Sequence, residues 1–350
     1  MQETLVFANH TEGYAHMYPA AIAHSAQETL LAFVEAKKQG ESPRYILVRR
    51  SLDGGQTWGP LLVIYVSDET QSIGNVCPVV DRDTGTIWLA FCGRGPDRFE
   101  DTVYITSSDD DGESWTQRVE ITDHVKKPEW GYYYTGPGHG IQLQSGRLLF
   151  PCHHSGRDAA QRDFTTWMSS AGSHVFYSDD HGATWHLGGA SDRFMDECQV
   201  VERADGSLLL SMRNYLGDFE LGKPLSGSQQ RAFATSSDGG QTWSASTLNR
   251  QVYCCACMTS IVRHTLAATA DKNRIIYAGP GGPGRTNTTI RLSYDEGESW
   301  PVARQIREGN VGGSDLVVLA DGTIGLLYSH SGSGWEQTSF ARITLDWLTD

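Results

Sequence analysis

One eight-residue phrase recurs five times along the chain. It reads SLDGGQTW from Ser51, SDDDGESW from Ser108, SDDHGATW from Ser178, SSDGGQTW from Ser236 and SYDEGESW from Ser293. Successive copies start 57, 70, 58 and 57 residues apart. A near-fixed period of this size signals a repeated supersecondary unit. Each copy keeps a Ser, an Asp two residues on, a Gly two further on, then Thr or Ser, then Trp. An Asp carboxylate can accept hydrogen bonds from the amides of its own turn. Gly supplies a positive φ, and Trp folds back as an apolar plug. A strand-like run precedes every copy: YILVRRS, TVYITSS, SHVFYS, RAFATS and TIRLS. The phrase therefore predicts a capped β-hairpin, with its Asp residues on the outer rim and no chemistry of its own.

A second series of turns falls at Gln27–Glu28, Thr84–Gly85, Ser145–Gly146, Asp205–Gly206, Lys272–Asn273 and Asp321–Gly322. Each is followed by a strand-like run, from TLLAFVE to TIGLLYS. Six such hairpins against five capped ones give about four strands per unit and no linker. Long helical periodicity is missing. These patterns predict an all-β chain, a single six-bladed β-propeller domain over residues 1–350. The last unit lacks a capped turn, and the N-terminal run TLVFAN is expected to complete it and close the ring.

Bulk composition narrows the partners. The net charge is −14 and no Lys/Arg run exists, which argues against nucleic acid and anionic lipid. No apolar run reaches the about 20 residues that span a bilayer. The start, MQETLVFANHTEGYAH, has no basic, apolar signal-peptide pattern. Both a cytoplasmic and a processed, secreted protein fit. The seven cysteines are scattered, mostly in apolar runs. CCAC, with no second CxxC or HxxxH, reads as buried thiols rather than zinc.

The pattern S-x-D-x-G-x-[TS]-W in a propeller of this length resembles the Asp box of the sialidase (neuraminidase) superfamily. Segments between the copies resemble sialidase segments too: CPVVDRDTGTIWLAFC (77–92), YTGPGHGIQLQSGRLLFPC (134–152), DECQVVERADGSLLLSMRN (196–214), RTNTTIRLSYDEGESW (285–300) and SDLVVLADGTIGLLY (314–328). The resemblance implies a pocket in which arginines hold the carboxylate of an acidic sugar, since guanidinium binds carboxylate bidentately. Arg213 in SMRN and Arg285 in GRTNTTIRL match two of the family's three arginines. Glu197 in MDECQVVE matches the glutamate that activates the family's tyrosine nucleophile.

The departures are equally specific. Gly313, in GGSDL, stands at the nucleophile's place. Met17, in HMYPAA, replaces the first arginine, and Lys37 replaces the arginine after LLAFVE, leaving Lys37 as a possible third cation. The family's acid/base aspartate falls near Glu41 or Ser42.

One expectation keeps hydrolysis. Gly313 leaves room for a water that Glu197 activates as base, while a second acid protonates the leaving oxygen in an inverting arrangement. Glu41 and Glu35 are the candidate acids, His16 a weaker one. Asp315 can also enter the site, although a turn aspartate is the plainer reading. Tyr133, Tyr134 and His139, from EWGYYYTGPGHG, are candidate sugar-stacking walls. The expected substrate is a terminal sialic acid or related acidic sugar, removed exo from sialylated or other acidic glycans. No metal or organic cofactor is called for. Two alternatives stay open: a catalytically inactive propeller that binds acidic glycans, and a polysaccharide lyase using the tyrosines or His139, His153 and His154.

Overall fold

The computed structural model describes residues 1–68, 71–94, 100–157, 163–220, 230–254 and 256–350. The architecture is all-β with a propeller-like arrangement of antiparallel sheets. Three sheets have four strands in sequence order. The first sheet contains Tyr14–His24, Leu30–Lys38, Arg44–Ser51 and Leu62–Val66. The second contains Ser72–Val80, Ile87–Arg94, Asp101–Ser108 and Val119–Glu120. In the third, Trp130–Thr135, Leu148–Gly156, Gly172–Ser178 and His186–Arg193 are joined by the short Ile141–Gln142. The fourth contains Met195–Glu202, Leu208–Asn214, Gln230–Ser236 and Thr247–Tyr253.

The remaining strands form one seven-stranded sheet from Ser260–Thr265 round to Gln2–Ala8. Its long member Val302–Val318 pairs with Thr286–Ser293 through its first half, and with Ile324–His330 from Val311 onward. The N-terminal strand Gln2–Ala8 pairs antiparallel with Gln337–Ile343. The run TLVFAN thus completes the last sheet. Among the described residues no helix is long and apolar enough to cross a membrane.

Each phrase joins two neighbouring antiparallel strands, four of them in the first four sheets and the fifth, from Ser293, in the seven-stranded sheet, and their local bonds repeat. Asp53 Oδ1 accepts from Ser51 Oγ and from the amides of Gln56 and Thr57. Asp110, Asp180, Asp238 and Asp295 accept in the same way from Ser114, Thr184, Thr242 and Ser299. These bonds hold the Asp110 and Asp180 carboxyls down at about 2. Each Gly sits at φ between 84° and 90° and donates its amide to the phrase's own Ser.

The glycines and tryptophans also bind one sheet to the one before it. A Cβ on Gly55, Gly112, Gly182 or Gly297 would overlap Phe340, Leu31, Trp88 or Leu209, each on the preceding unit. Trp58 packs edge-on against Phe340, Trp115 against Phe33 and Trp185 against Trp88. The tryptophan is therefore a plug between sheets, and Trp185 packs on Phe150 and Phe176 of its own sheet as well. Full burial of a large apolar side chain contributes roughly 1.5–3 kcal/mol; Trp185 and Trp300 are buried, whereas Trp58, Trp115 and Trp243 are half-buried and contribute less.

A polar link joins the second and third sheets where the phrase from Ser178 meets the fully buried Asp81, 2.8 Å from His181 Nδ1. The Asp81 hydrogen bond, then its charge, pushes the His181 imidazole above its ordinary value. Stability from a raised histidine is complete below the unfolded value of about 6.5 and disappears as pH rises through the folded value. His181→Phe should therefore lower Tm more at about pH 6 than at about pH 9. An equal loss at both pH values in thermal melts would refute the link.

Candidate active site

The first strands of successive sheets meet at the axis, where Asp315 lies fully buried. Its carboxylate accepts from Ile22 N–H at 2.9 Å, Gln199 Nε2 at 2.9 Å and Ser260 Oγ at 3.1 Å, and lies 2.7 Å from His139 Nδ1. Asp315 is a structural hub between inner strands. The expectation that it enters the site, and the plainer reading as a turn aspartate, both yield to this placement.

Beyond Asp315, towards the C-terminal ends of the inner strands, a cavity of about 380 Å³ is lined by His139, Arg82, Glu202, Arg263 and apolar residues such as Val200 and Val318. His139 faces this end, so it is no wall for Glu197, which starts its strand at the other.

At that other end Glu197 meets Arg213. Glu197 Oε2 accepts from Arg213 Nη1 at 3.0 Å, and Asp196 Oδ2 lies 3.3 Å from Arg213 Nε. Arg213 Nη2 donates to the Tyr215 hydroxyl. His153 Nε2 lies 3.3 Å from Asp196 Oδ1. The ion pair joins neighbouring strands of one sheet. Arg285 Nε and Nη2 both donate to the Ala256 carbonyl, at 3.2 and 2.7 Å. Its guanidinium lies 5.5 Å from the Trp335 ring, which is 5.7 Å from Tyr18. Residues 256–258 connect the two arginines' surroundings: the Cys257 carbonyl accepts from Arg231, whose Nη2 also donates to the Glu197 carbonyl.

The aromatic wall is shifted by one residue from expectation. Tyr133 is fully buried, with its hydroxyl 3.5 Å from Cys152 Sγ. Side chains alternate along a strand, so Tyr134 shares its face with Tyr132, and their rings are 4.5 Å apart. Arg94 lies over both, at 4.7 Å from Tyr134 and 5.4 Å from Tyr132. The period-two rule applied to WGYYYT was the signal that would have chosen Tyr132 over Tyr133. For Arg94 and Asp196 the sequence carried no local signal, and His153 stood out only for the lyase alternative.

The candidate acids separate. Glu41 is exposed and bound within its own hairpin: it accepts from Tyr45 Oη at 2.8 Å and lies 4.0 Å from Lys38. Among the described residues no bond ties it to Glu197. Glu35 instead packs on the inner strand of the second sheet and accepts from the Asn75 amide. Burial pushes its carboxyl up to about 7, against the Asn75 bond and the charges of Arg44 and Arg94. Lys37 is half-buried beside Arg44 and makes no ion pair with the described residues. His16 is exposed, and Met17 is buried in the core beside Tyr14 and Tyr45.

The room expected at Gly313 is filled. A Cβ there would overlap Sδ and Cγ of Met258, which is itself buried. The histidines of the lyase alternative are enclosed as well. His154 stacks 3.6 Å from Trp130 and lies 3.0 Å from His174 Nδ1, and burial pushes it down to about 3. His153 is 3% exposed.

For metals, the described cysteines Cys77, Cys92, Cys152, Cys198, Cys254 and Cys257 are buried thiols, and Cys255 lies outside the described residues. Asp81, Asp83 and His181 place ligand atoms within 4.8 Å of one another. Asp81 is already bonded there by Gln142, the Asp83 amide and His181.

Comparison with known proteins bears on this geometry. The BNR repeat-like domain profile matches residues 28–326. A sialidase of Micromonospora viridifaciens is 32% identical over 97% of this chain and 53% of its own length. A sialidase of Bacteroides fragilis is 30% identical over 81% of this chain and 53% of its own. The chain thus spans about half the length of these relatives. Among solved structures, the Hadza microbial sialidase Hz136 superposes with a TM-score of 0.82 at 25% identity, covering 96% of this chain and 67% of that one. The intramolecular trans-sialidase from Ruminococcus gnavus, solved with oseltamivir carboxylate, gives 0.79 at 17% identity over 99% and 98%.

The packing at Gly313 is testable. Gly313→Ala should destabilise the protein by about 1–3 kcal/mol through overpacking. Adding Met258→Ala should restore part of that loss. Additive losses in a denaturant double-mutant cycle would show that Met258 does not occupy the space.

Proposed function

As the chain belongs to the sialidase family of BNR repeat-like propellers, we propose that it is an exo-acting glycoside hydrolase releasing a terminal sialic acid, or a related acidic sugar, from glycans. The observation that carries this reading is the cluster at one end of the axis. Arg213 sits between Asp196 and Glu197, and Arg285 rests on Ala256 beside Trp335 and Tyr18, one residue from the Cys257 that Arg231 links to Glu197. Two guanidinium groups suit a sugar carboxylate, and aromatic faces suit a pyranose ring. We also read the chain as one domain of six blades. The seven-stranded sheet then counts as two blades sharing Val302–Val318, whose partner changes between Asn310 and Val311.

In the proposed reaction a water is deprotonated by Glu197 and adds to the anomeric carbon as the bond to the leaving oxygen breaks. Glu35, in place of Glu41, gives its proton to that oxygen. Glu197 Oε1 has no partner among the described residues, so it is available to the water. The water reaches Glu197 from its solvent-exposed side, since Met258 fills the space at Gly313. The same obstruction favours the second reading, a propeller that binds acidic glycans without turning them over.

Turnover of a fluorogenic α-sialoside separates the two readings, and binding of sialic acid without turnover would establish the second. With turnover, 1H NMR should show the β anomer first, and the α anomer first would exclude inversion. Glu197→Gln should lower kcat by about 10²–10⁴. Glu35 acts as an acid only when protonated, so kcat/KM should fall as pH rises above about 7. Glu35→Gln should remove that limb together with most activity. An unchanged alkaline limb in the variant would rule Glu35 out.

A further inference from the structure

Arg231 is 1% exposed, and among the described residues it makes no ion pair. Guanidinium stays charged in proteins, and burying a charge without a counter-charge is costly unless hydrogen bonds replace it. Here every partner is a neutral oxygen. Nε donates to Ser211 Oγ at 3.0 Å, Nη1 to the Cys257 carbonyl at 3.2 Å, and Nη2 to the carbonyls of Ser211 at 3.2 Å and Glu197 at 3.3 Å.

The Glu197 bond falls where the strand is irregular. Met195–Glu202 loses register against Leu208–Asn214 between Met195 and Cys198. A bulge takes residues out of the ladder and re-aims their side chains. In an unbroken strand Asp196 and Glu197 would point to opposite faces. Here both reach Arg213. The two carbonyls of the bulge find side-chain donors: Ser173 Oγ serves Asp196, and Arg231 serves Glu197. The same guanidinium fixes Cys257, between Ala256, which receives Arg285, and Met258, which covers Gly313.

We infer that Arg231 is a positioning residue: it holds the bulge that aims Glu197 and, through Cys257, sets the segment on which Arg285 rests. This inference rests on the reading of Glu197 as the base. Its structural half does not depend on activity.

The test uses Arg231→Lys, Arg231→Gln and the milder Ser211→Ala, which removes only the partner of Nε. Amide hydrogen exchange should quicken at residues 196–198 and 256–258 and stay unchanged in the other inner strands. With a fluorogenic sialoside, kcat should fall roughly 10- to 100-fold while KM changes less, since a misplacement of about 1 Å can cost 10²-fold in rate. Unchanged exchange in both segments would overturn the inference, as would a uniform rise across all sheets, which marks general destabilisation. If Arg231→Gln does not fold, Ser211→Ala decides by the same two segments. A parent protein without turnover refutes the hydrolase reading alone, and the exchange pattern still decides the role of Arg231.

Discussion

A single carboxylate at the axis holds the inner strands in register. Asp315 is fully buried, and its donors come from the first sheet, the fourth sheet, the opposite half of its own sheet and the loop that carries His139. A buried carboxylate is tolerable only while such donors are in place. Any slip of an inner strand would strand it. Gln199 extends the lock, because its Oε1 accepts from the Ile261 amide while its Nε2 serves Asp315. The hub also divides the axis into two ends. One holds the cluster of Arg213, Asp196 and Glu197, and the other the cavity lined by His139, Arg82, Glu202 and Arg263.

At the periphery a different force does the joining. The phrase that recurs five times sets a turn whose glycine and tryptophan press on the preceding sheet. Glycine is required there twice over, by positive φ and by the absence of space for a Cβ. Polar bonds at the centre give register, and apolar contacts at the rim give adhesion. The bulges and re-aimed side chains at the mouth are tolerable because both the hub and the rim over-determine the strands that bear them.

Local chemistry made the hairpins legible in the sequence. The turn residues and the alternation of the strands follow from patterns within a few residues, whereas the pairing of TLVFAN with the last strand follows from the count of repeats along the whole chain. For the proposed site, motifs pointed only to Glu197, Arg213 and Arg285. Asp315 read as a turn aspartate because its partners lie as many as 293 residues away. Tyr133 was chosen over Tyr132 because three tyrosines in a row hide which face is inward. Gly313 read as empty space because Met258, which fills it, stands 55 residues upstream with no marker of its role. Glu35 looked like part of an apolar run, and only its packing on Asn75 distinguishes it from Glu41.

The charge balance at the mouth links the proposed chemistry to the proposed substrate. Arg213 faces two carboxylates, and this trio carries a net negative charge when both are ionised. Arg285, hydrogen-bonded among the described residues to a carbonyl, adds one positive charge, which leaves the group near neutral. An incoming sugar carboxylate would then meet repulsion from any further anion nearby. Glu35 avoids adding one at lower pH, because burial pushes its carboxyl up to about 7 and it is mostly protonated well below that pH. On the proposed mechanism the same proton serves twice. Before reaction it spares the anionic substrate a third carboxylate, and in the reaction it passes to the leaving oxygen. Binding and protonation are therefore expected to weaken together as Glu35 ionises, a coupling that neither Glu41, bound to Tyr45, nor Asp315, locked at the axis, could provide.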